Sequence, residues 1–151
     1  MKYTLNILIE APLEVCAKKF SITENMIHWH RGLVSVEHLS GTPSHLGAKM
    51  KLHYEIGEFK LEQVETITHV NFPNEIHCSY ATQDMEHLQD NFFTATSQNQ
   101  TQWVSVNECM PLNFNMRMKL WLTPKIFKKQ SLLAMKDFKN FVEKGISVAD
   151  A

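Results

Sequence analysis

The sequence has few residues that break regular structure and no long apolar run. Only five glycines and five prolines occur among its 151 residues. The apolar runs are far shorter than the ~20 residues that a membrane-spanning helix needs. We expect no secretory signal at Met1–Asn6, because Asn6 and Glu10 interrupt any apolar segment. With 44% hydrophobic and 21% charged residues, the chain is expected to fold as one domain over residues 1–151.

Cysteine is also scarce. The three cysteines, Cys16, Cys78 and Cys109, are odd in number, widely spaced and without a CxxC pair. We therefore expect reduced thiols and a cytoplasmic protein. All eight histidines lie between His28 and His87, but none is spaced with cysteines or carboxylates as metal ligands usually are. The sequence thus predicts neither a metal site nor a cofactor.

The sequence also lacks the motifs of the common enzyme classes and the excess of positive charge that is typical of nucleic-acid-binding proteins. There is no GxSxG, P-loop, GxGxxG or HExxH motif. The pI of about 6.7 argues against nucleic acid as a partner.

Charge is nevertheless distributed unevenly along the chain. Residues 1–116 contain seven Lys/Arg and thirteen Asp/Glu, a net charge of −6, whereas residues 117–151 contain eight and three, a net charge of +5. A solvated, lysine-rich helix face explains the excess most simply. The alternative is weak contact with an anionic membrane or an acidic protein. The residues expected to make such a contact are Lys125, Lys128, Lys129 and Lys136.

The longest regular pattern is an amphipathic helix over residues 124–145. Apolar residues recur there at spacings of three and four, from Phe127 through Met135 to Val142, and most lysines fall on the other side. Gly145 is a suitable C-terminal stop. Residues 112–123 either start this helix early, with a kink at proline 124, or precede it. Such a helix requires a large apolar surface elsewhere in the chain.

Alternating apolar residues upstream predict six or seven antiparallel strands. The first strand, Tyr3–Ile9, is followed by two short helices, the second over Glu24–Arg31. A change of phase within Phe59–Val70 predicts a bulge near Glu62–Gln63 that bends the sheet. The plan is α+β, with a curved antiparallel sheet wrapped around a long C-terminal helix.

Several segments resemble the START-related superfamily, whose members have the helix-grip fold. These segments are Ile9–Val15 at the strand-to-helix joint, Trp29 at the end of the second helix, Gly41–Gly47, Glu65–Ile67 and Phe127–Gln130. The superfamily includes plant pollen allergens, polyketide cyclases/dehydrases and lipid-transfer domains, and the resemblance is strongest to bacterial members of the cyclase/dehydrase branch. It covers nearly the whole chain and implies an apolar pocket between the sheet and the C-terminal helix.

This resemblance and the apolar strand faces together predict binding or transport of a small hydrophobic molecule, such as a lipid, sterol or polyketide-like ligand. The residues expected to line its cavity are Trp29, Met50, Leu52, Tyr54, Cys78, Tyr80, Phe92, Trp103, Met116, Leu120 and Phe127. Trp29 has two interpretations. It either marks the pocket mouth, with His28 or His30 available for a polar ligand group, or packs under the sheet rim beside solvent-exposed histidines.

An enzyme is the less favoured alternative, because no residue stands out as catalytic. It would be of cyclase or dehydrase type, with Tyr54, Tyr80 or Glu108 orienting the substrate. We expect Glu108 to face outward, which turns Ser105 and Asn107 inward. A third possibility is an interaction module, co-chaperone-like or bound to a membrane surface, that uses the basic helix face.

Overall fold

The computed structural model describes residues 1–150, and within that range it contains seven strands and four α-helices. The strands are β1 Lys2–Ile9, β2 Leu33–Ser40, β3 Lys49–Ile56, β4 Phe59–Asn71, β5 Glu75–Ala81, β6 Met85–Ser97 and β7 Gln100–Pro111. The helices are α1 Leu13–Ser21, α2 Met26–Trp29, α3 Phe114–Leu122 and α4 Pro124–Lys144, with 3-10 turns at Thr23–Asn25 and Val148–Asp150.

The strands form one antiparallel sheet in the order β1-β7-β6-β5-β4-β3-β2. Consecutive strands from β2 to β7 pair as a meander. The first strand, β1, forms the other edge of the sheet and pairs with β7, with Lys2 opposite Glu108. The expected α+β plan with a long C-terminal helix is confirmed. No helix within residues 1–150 has the length and apolar character needed to cross a membrane.

The long C-terminal helix is also confirmed, and its start is now defined. Gly145 ends α4 in the left-handed conformation, with φ 65°, a conformation that glycine adopts without steric cost. Thr123 interrupts the chain between α3 and α4, with φ −130° and ψ 50°. Proline disfavours helical geometry in the residue before it, so Pro124 begins a separate helix instead of kinking a continuous one.

The second short helix is shorter than predicted. After the 3-10 turn Thr23–Asn25, α2 ends at Trp29, and His30 is already extended. Gly32 explains the early stop, because its carbonyl accepts a 2.8 Å hydrogen bond from the Glu55 amide. A Cβ at Gly32 would lie only 2.7 Å from a side-chain carbon of Ile56. The chain must therefore leave the helix early to reach β3 at close range.

The predicted bulge near Glu62–Gln63 is wrong. Pairing between β3 and β4 is continuous there, and the irregularity in β4 lies between Ile67 and His69, where the strand pairs with β5. The strand therefore keeps its phase through residue 67. As a result Glu65 and Ile67, and not Val64, face the concave side and are buried.

The predicted inward position of Phe92 is also wrong. Phe93 is the buried residue, and it pairs with Trp103 across β6 and β7. Phe92 lies on the opposite face, where its ring centre is 5.0 Å from that of His77. Both phenylalanines are apolar, so their sequence alone does not select the phase of the strand.

An aromatic cluster fills the space between the sheet and α4. The ring centre of Phe20 lies 5.3–5.6 Å from those of Trp29, Phe93, Trp103 and Phe138. Burying each such side chain contributes roughly 1.5–3 kcal/mol. A second, smaller cluster joins the N-terminal strand to α3 and α4. It consists of the buried Tyr3, Cys109 and Leu120, with Met1, Leu5, Met85, Met116 and Phe127 packed against them.

Candidate functional site

A row of side chains crosses the concave face of the sheet from β3 to β6. Glu65 is paired with Met50 on one side and with Tyr80 on the other, and Tyr80 is in turn paired with His87. Residues opposite one another on antiparallel strands point to the same face. The register therefore places a carboxyl, a phenol and an imidazole side by side against the interior.

The Glu65 end of this row lines a small, partly open cavity of about 30 Å³. The lining residues come from α1, α2, the strands β3–β5 and the loops beside them. They are Phe20, Ser21, Thr23, Met26, Trp29, His30, Ser44, Met50, Glu65, Ile67 and Tyr80. A space of this size and polarity has room for one or two water molecules or for a single polar group of a ligand. We refer to it as the inner cavity.

Glu65 is the acidic group of the inner cavity. Only 5% of its surface is exposed. Burial raises its pKa from the ordinary value of 4.5 to about 7, although interaction with the Tyr80 hydroxyl offsets part of the rise. Burial also raises the pKa of Tyr80, so the phenol stays neutral. Near neutral pH, Glu65 therefore exists in both the protonated and the ionised form.

His30 and Trp29 also line the inner cavity, and each has a buried ring nitrogen without a hydrogen-bond partner in the described part of the chain. The Nδ1 atom of His30 lies 2.8 Å from the Tyr54 hydroxyl. Burial lowers the pKa of His30 to about 4, so its ring is neutral. Among residues 1–150, no hydrogen-bond partner exists for the buried Nε2 of His30 or for the buried Nε1 of Trp29. Native proteins rarely leave such atoms unpaired, which marks this cluster as a place for a ligand or ordered water.

A larger outer groove of about 480 Å³ lies next to the inner cavity. Its walls are mainly apolar and come from the 3-10 turn, α2, β2 and the loop after β2. They are Thr23, Glu24, Ile27, Leu33, Val34, Ser35, Val36, His38, Pro43 and Met50. Thr23 and Met50 line both spaces, and the Thr23 hydroxyl lies 3.7 Å from the Met50 sulfur. Thr23 and Met50 therefore lie at the border between the groove and the inner cavity.

Three of the predicted ligand residues, Trp29, Met50 and Tyr80, meet at the inner cavity, and Tyr54 reaches it through His30. The others lie elsewhere. Leu52, Cys78 and Trp103 belong to the main core; Phe92 is on the outer face; Met116, Leu120 and Phe127 belong to the second cluster. Neither space is lined by a residue of α4, contrary to the expected pocket between sheet and helix.

Glu108 faces outward as expected, and it approaches Lys2 at 3.9 Å on the surface. Ser105 and Asn107 are buried on the concave side, also as expected. The Nε2 atom of His87 lies 2.7 Å from the Asn107 side-chain oxygen. Glu108 therefore does not reach the interior. No group of three or more His, Cys, Asp or Glu in the described part of the chain is placed to hold a metal ion.

Sequence reasoning missed Glu65 as a site residue. It named Glu65 only as part of a family-like segment and placed the phase change of β4 too early. The available signal was the uninterrupted alternation of Leu61, Gln63, Glu65 and Ile67, which puts a carboxyl on the same face as two apolar residues. A carboxyl in that position is either exposed at an edge or buried with a raised pKa.

Comparison with known proteins found likeness in structure alone, since no family model and no curated protein sequence matches the chain. The aromatase/cyclase Zhui from Streptomyces sp. R1128 superposes with a TM-score of 0.79 at 9% identity, covering 95% of this chain and 94% of that chain. A conserved protein from Geobacillus kaustophilus gives 0.77 at 14% identity, covering 95% and 96%. The protein Ara h 8.0201 gives 0.69 at 10% identity, covering 94% and 97%. The chain therefore has the helix-grip fold, as its resemblance to the START-related superfamily predicted.

Proposed function

We propose that the protein binds a small molecule that carries a neutral polar end on an apolar body. One observation supports this most directly: Glu65, Tyr80, Trp29 and His30 line one cavity, and the Nε1 of Trp29 and the Nε2 of His30 are buried without a hydrogen-bond partner among the described residues. A few polar side chains grouped around a small cavity are typical of sites that orient a ligand.

The chemistry of these groups favours an oxygen function such as a ketone, an enol or a phenol. The Trp29 indole donates a hydrogen bond, and so does Glu65 while it is protonated. The neutral His30 Nε2 accepts one when Nδ1 carries the ring proton. A ligand anion is disfavoured, because it would meet the partly ionised carboxyl of Glu65 in a poorly solvated space.

The apolar body of the ligand would occupy the outer groove. The inner cavity alone, at about 30 Å³, is too small for a lipid or a polyketide. The groove of about 480 Å³ falls within the usual size range of small-molecule sites. Joining the two spaces requires the Met50 side chain to move away from Thr23, and methionine changes rotamer at low cost. The space next to α4 is already filled by Phe138 and its aromatic neighbours.

We would test this with 2-naphthol, a neutral phenol on an apolar bicycle, titrated into isotope-labelled protein and followed by amide NMR shifts. We expect shifts at Met50, Glu65 and Tyr80. Tyr80→Phe should weaken binding roughly fivefold, the value of one lost hydrogen bond. Glu62→Gln is the matched control for Glu65→Gln, because Glu62 lies on the same strand but faces solvent. Shifts confined to α4, or equal affinity in wild type, Glu65→Gln and Tyr80→Phe, would refute the proposal.

Proton-transfer catalysis is a second candidate function. The pKa of Glu65, about 7, suits a group that accepts and returns a proton at neutral pH. The structural likeness to an aromatase/cyclase supports the same direction. Glu65 takes the role that the sequence suggested for Glu108, and Tyr80 would orient the substrate carbonyl.

The assay for this second function is loss of water from the β-hydroxyketone 4-hydroxy-4-phenylbutan-2-one, followed by the ultraviolet absorbance of the enone. We expect a rate that rises with pH around 7, when Glu65 becomes ionised. Glu65→Gln should abolish the rate and Glu108→Gln should preserve it. Binding of 2-naphthol without turnover would leave the first proposal standing and remove this one.

The location of the protein is part of the proposal as well. Its three cysteines are free and buried. Free thiols are typical of reducing compartments, so we propose that the protein works in the cytoplasm.

A further inference from the structure

Helix α3 exposes a second apolar face to solvent. Its Met116 and Leu120 pack into the second cluster, which accounts for its attachment to the fold. On the other side Phe114 is 71% exposed and Trp121 is 74% exposed. Large aromatic side chains are rarely left in water to this extent, and a group of them marks a contact site.

The apolar residues on this side form a stripe and are not scattered. Phe114, the half-buried Met118 and Trp121 are spaced by four and three, so they lie along one line of the helix. At about 100° per residue, Arg117 borders that line on one side, and Lys119 lies beyond Leu122 and Asn115 on the other. An apolar stripe bordered by cations is the pattern of helices that lie in the interface of a membrane.

The charge of the surrounding segment is uniformly positive. Residues 109–136 contain six basic residues and no Asp or Glu. The six are Arg117, Lys119, Lys125, Lys128, Lys129 and Lys136. Glu108 and Asp137 flank the segment in the chain, and the Asp84 carboxylate accepts a 2.7 Å hydrogen bond from Asn113 at the N-terminal end of α3. Four of the six cations were already candidates for membrane contact from sequence alone.

We infer that α3 and the start of α4 dock onto an anionic lipid bilayer. The apolar stripe would enter the headgroup region while the lysines pair with lipid phosphates and carboxylates. Association with a second copy through α3 and the start of α4 is disfavoured, because it would bring two strongly basic segments together. Leu122 and Ile126, both exposed near the Thr123 break, extend the apolar part of this surface toward α4.

The chain contains its own fluorescent reporter for this contact. Trp121 is exposed, whereas the other two tryptophans, Trp29 and Trp103, are buried. We expect phosphatidylcholine vesicles that contain phosphatidylserine to shift the fluorescence emission of Trp121 to shorter wavelength. The same vesicles should protect this emission from quenching by acrylamide. Vesicles of phosphatidylcholine alone should bind much more weakly, and added salt should release the protein.

Two sets of variants separate the apolar and the charged contribution. Trp121→Ala should weaken sedimentation with the anionic vesicles roughly tenfold or more. The matched control is Phe72→Ala, an exposed aromatic in the turn after β4. Replacing Lys125 and Lys128 by Gln should weaken sedimentation with the anionic vesicles about fivefold for each charge removed. Lys60→Gln, on exposed β4, is the control for charge.

The outcomes discriminate between the occupants of this surface. Equal sedimentation of wild type and Trp121→Ala, or no preference for phosphatidylserine, would overturn the inference. Dimerisation that is abolished by Trp121→Ala, with no lipid binding, would assign the face to a second copy instead. Binding of an acidic polypeptide such as polyglutamate, but not of vesicles, would assign it to a protein partner. None of these outcomes depends on the inner cavity, so they do not test the proposed ligand.

Discussion

Replacing Glu65 by Gln should change how the stability of the protein depends on pH. In the folded protein burial raises the pKa of Glu65 from 4.5 to about 7. The folded state therefore holds this proton more tightly than the unfolded state does. The contribution of Glu65 to the free energy of unfolding is fully present below pH 4.5 and is lost as the pH rises to 7. At about 1.4 kcal/mol for each pKa unit, the loss is about 3 kcal/mol.

His30 acts in the opposite direction over nearly the same range. Burial lowers its pKa from 6.5 to about 4. Its contribution is therefore complete above pH 6.5 and is lost as the pH falls to 4, again by about 3 kcal/mol. Between pH 4.5 and 6.5 the free energy of unfolding falls with pH because of Glu65 and rises with pH because of His30, so the two effects nearly cancel. The wild-type protein should consequently show little net pH dependence from this pair, and the slopes should emerge when one partner is removed.

Urea denaturation of wild type and Glu65→Gln at several pH values between 4 and 8 provides the measurement. We expect the stability of Glu65→Gln relative to wild type to increase by about 3 kcal/mol between pH 4.5 and 7. Glu62→Gln on the same strand should run parallel to wild type, because Glu62 is exposed. A constant difference between Glu65→Gln and wild type across the range would show that Glu65 is solvated, and the reasoning about the inner cavity would fail.

Three further predictions concern the packing of α4. Phe138→Ala should cost roughly 3–5 kcal/mol in urea denaturation, because it removes a fully buried ring from the aromatic cluster, and a loss below 1 kcal/mol would contradict that packing. Arg31 donates hydrogen bonds of 2.7 and 3.1 Å to the buried Asp137, so Arg31→Ala should cost roughly 1–2 kcal/mol, whereas a salt-independent, unchanged midpoint would count against this pair. Gly145→Ala should cost roughly 1 kcal/mol by thermal unfolding, because it forces an L-residue to φ 65°, and an unchanged melting temperature would contradict the αL cap.

Local patterns predicted the elements well where a single periodicity dominates. The apolar spacing of Phe127, Met135 and Val142 predicted α4, and Gly145 fixed its end. The outward position of Glu108 was also predictable, since Trp103 on the same strand needed the interior. Errors arose where two phases were equally apolar, as at Phe92 and Phe93. In such strands the partner strand decides which side is buried.

The content of the interior was less predictable than its outline. Apolar residues on the sheet and on α4 predict an apolar pocket between them. That space is filled instead by Phe20, Trp29 and Phe138, which come from three separate helices. Their convergence depends on how the helices cross the sheet. The inner cavity lies beside this cluster, where the carboxyl of Glu65 stands in the row between Met50 and Tyr80.

The sequence by itself determined the α+β architecture, the terminal helix and the uneven charge, because periodicity, capping residues and charge counts are properties of neighbouring positions. The tertiary structure alone decided that Glu65, Tyr80, His30 and Trp29 meet around one cavity. It also decided that α3 turns its aromatic stripe to solvent. Burial and pKa depend on residues that are distant in the chain, and only the folded register brings those residues together.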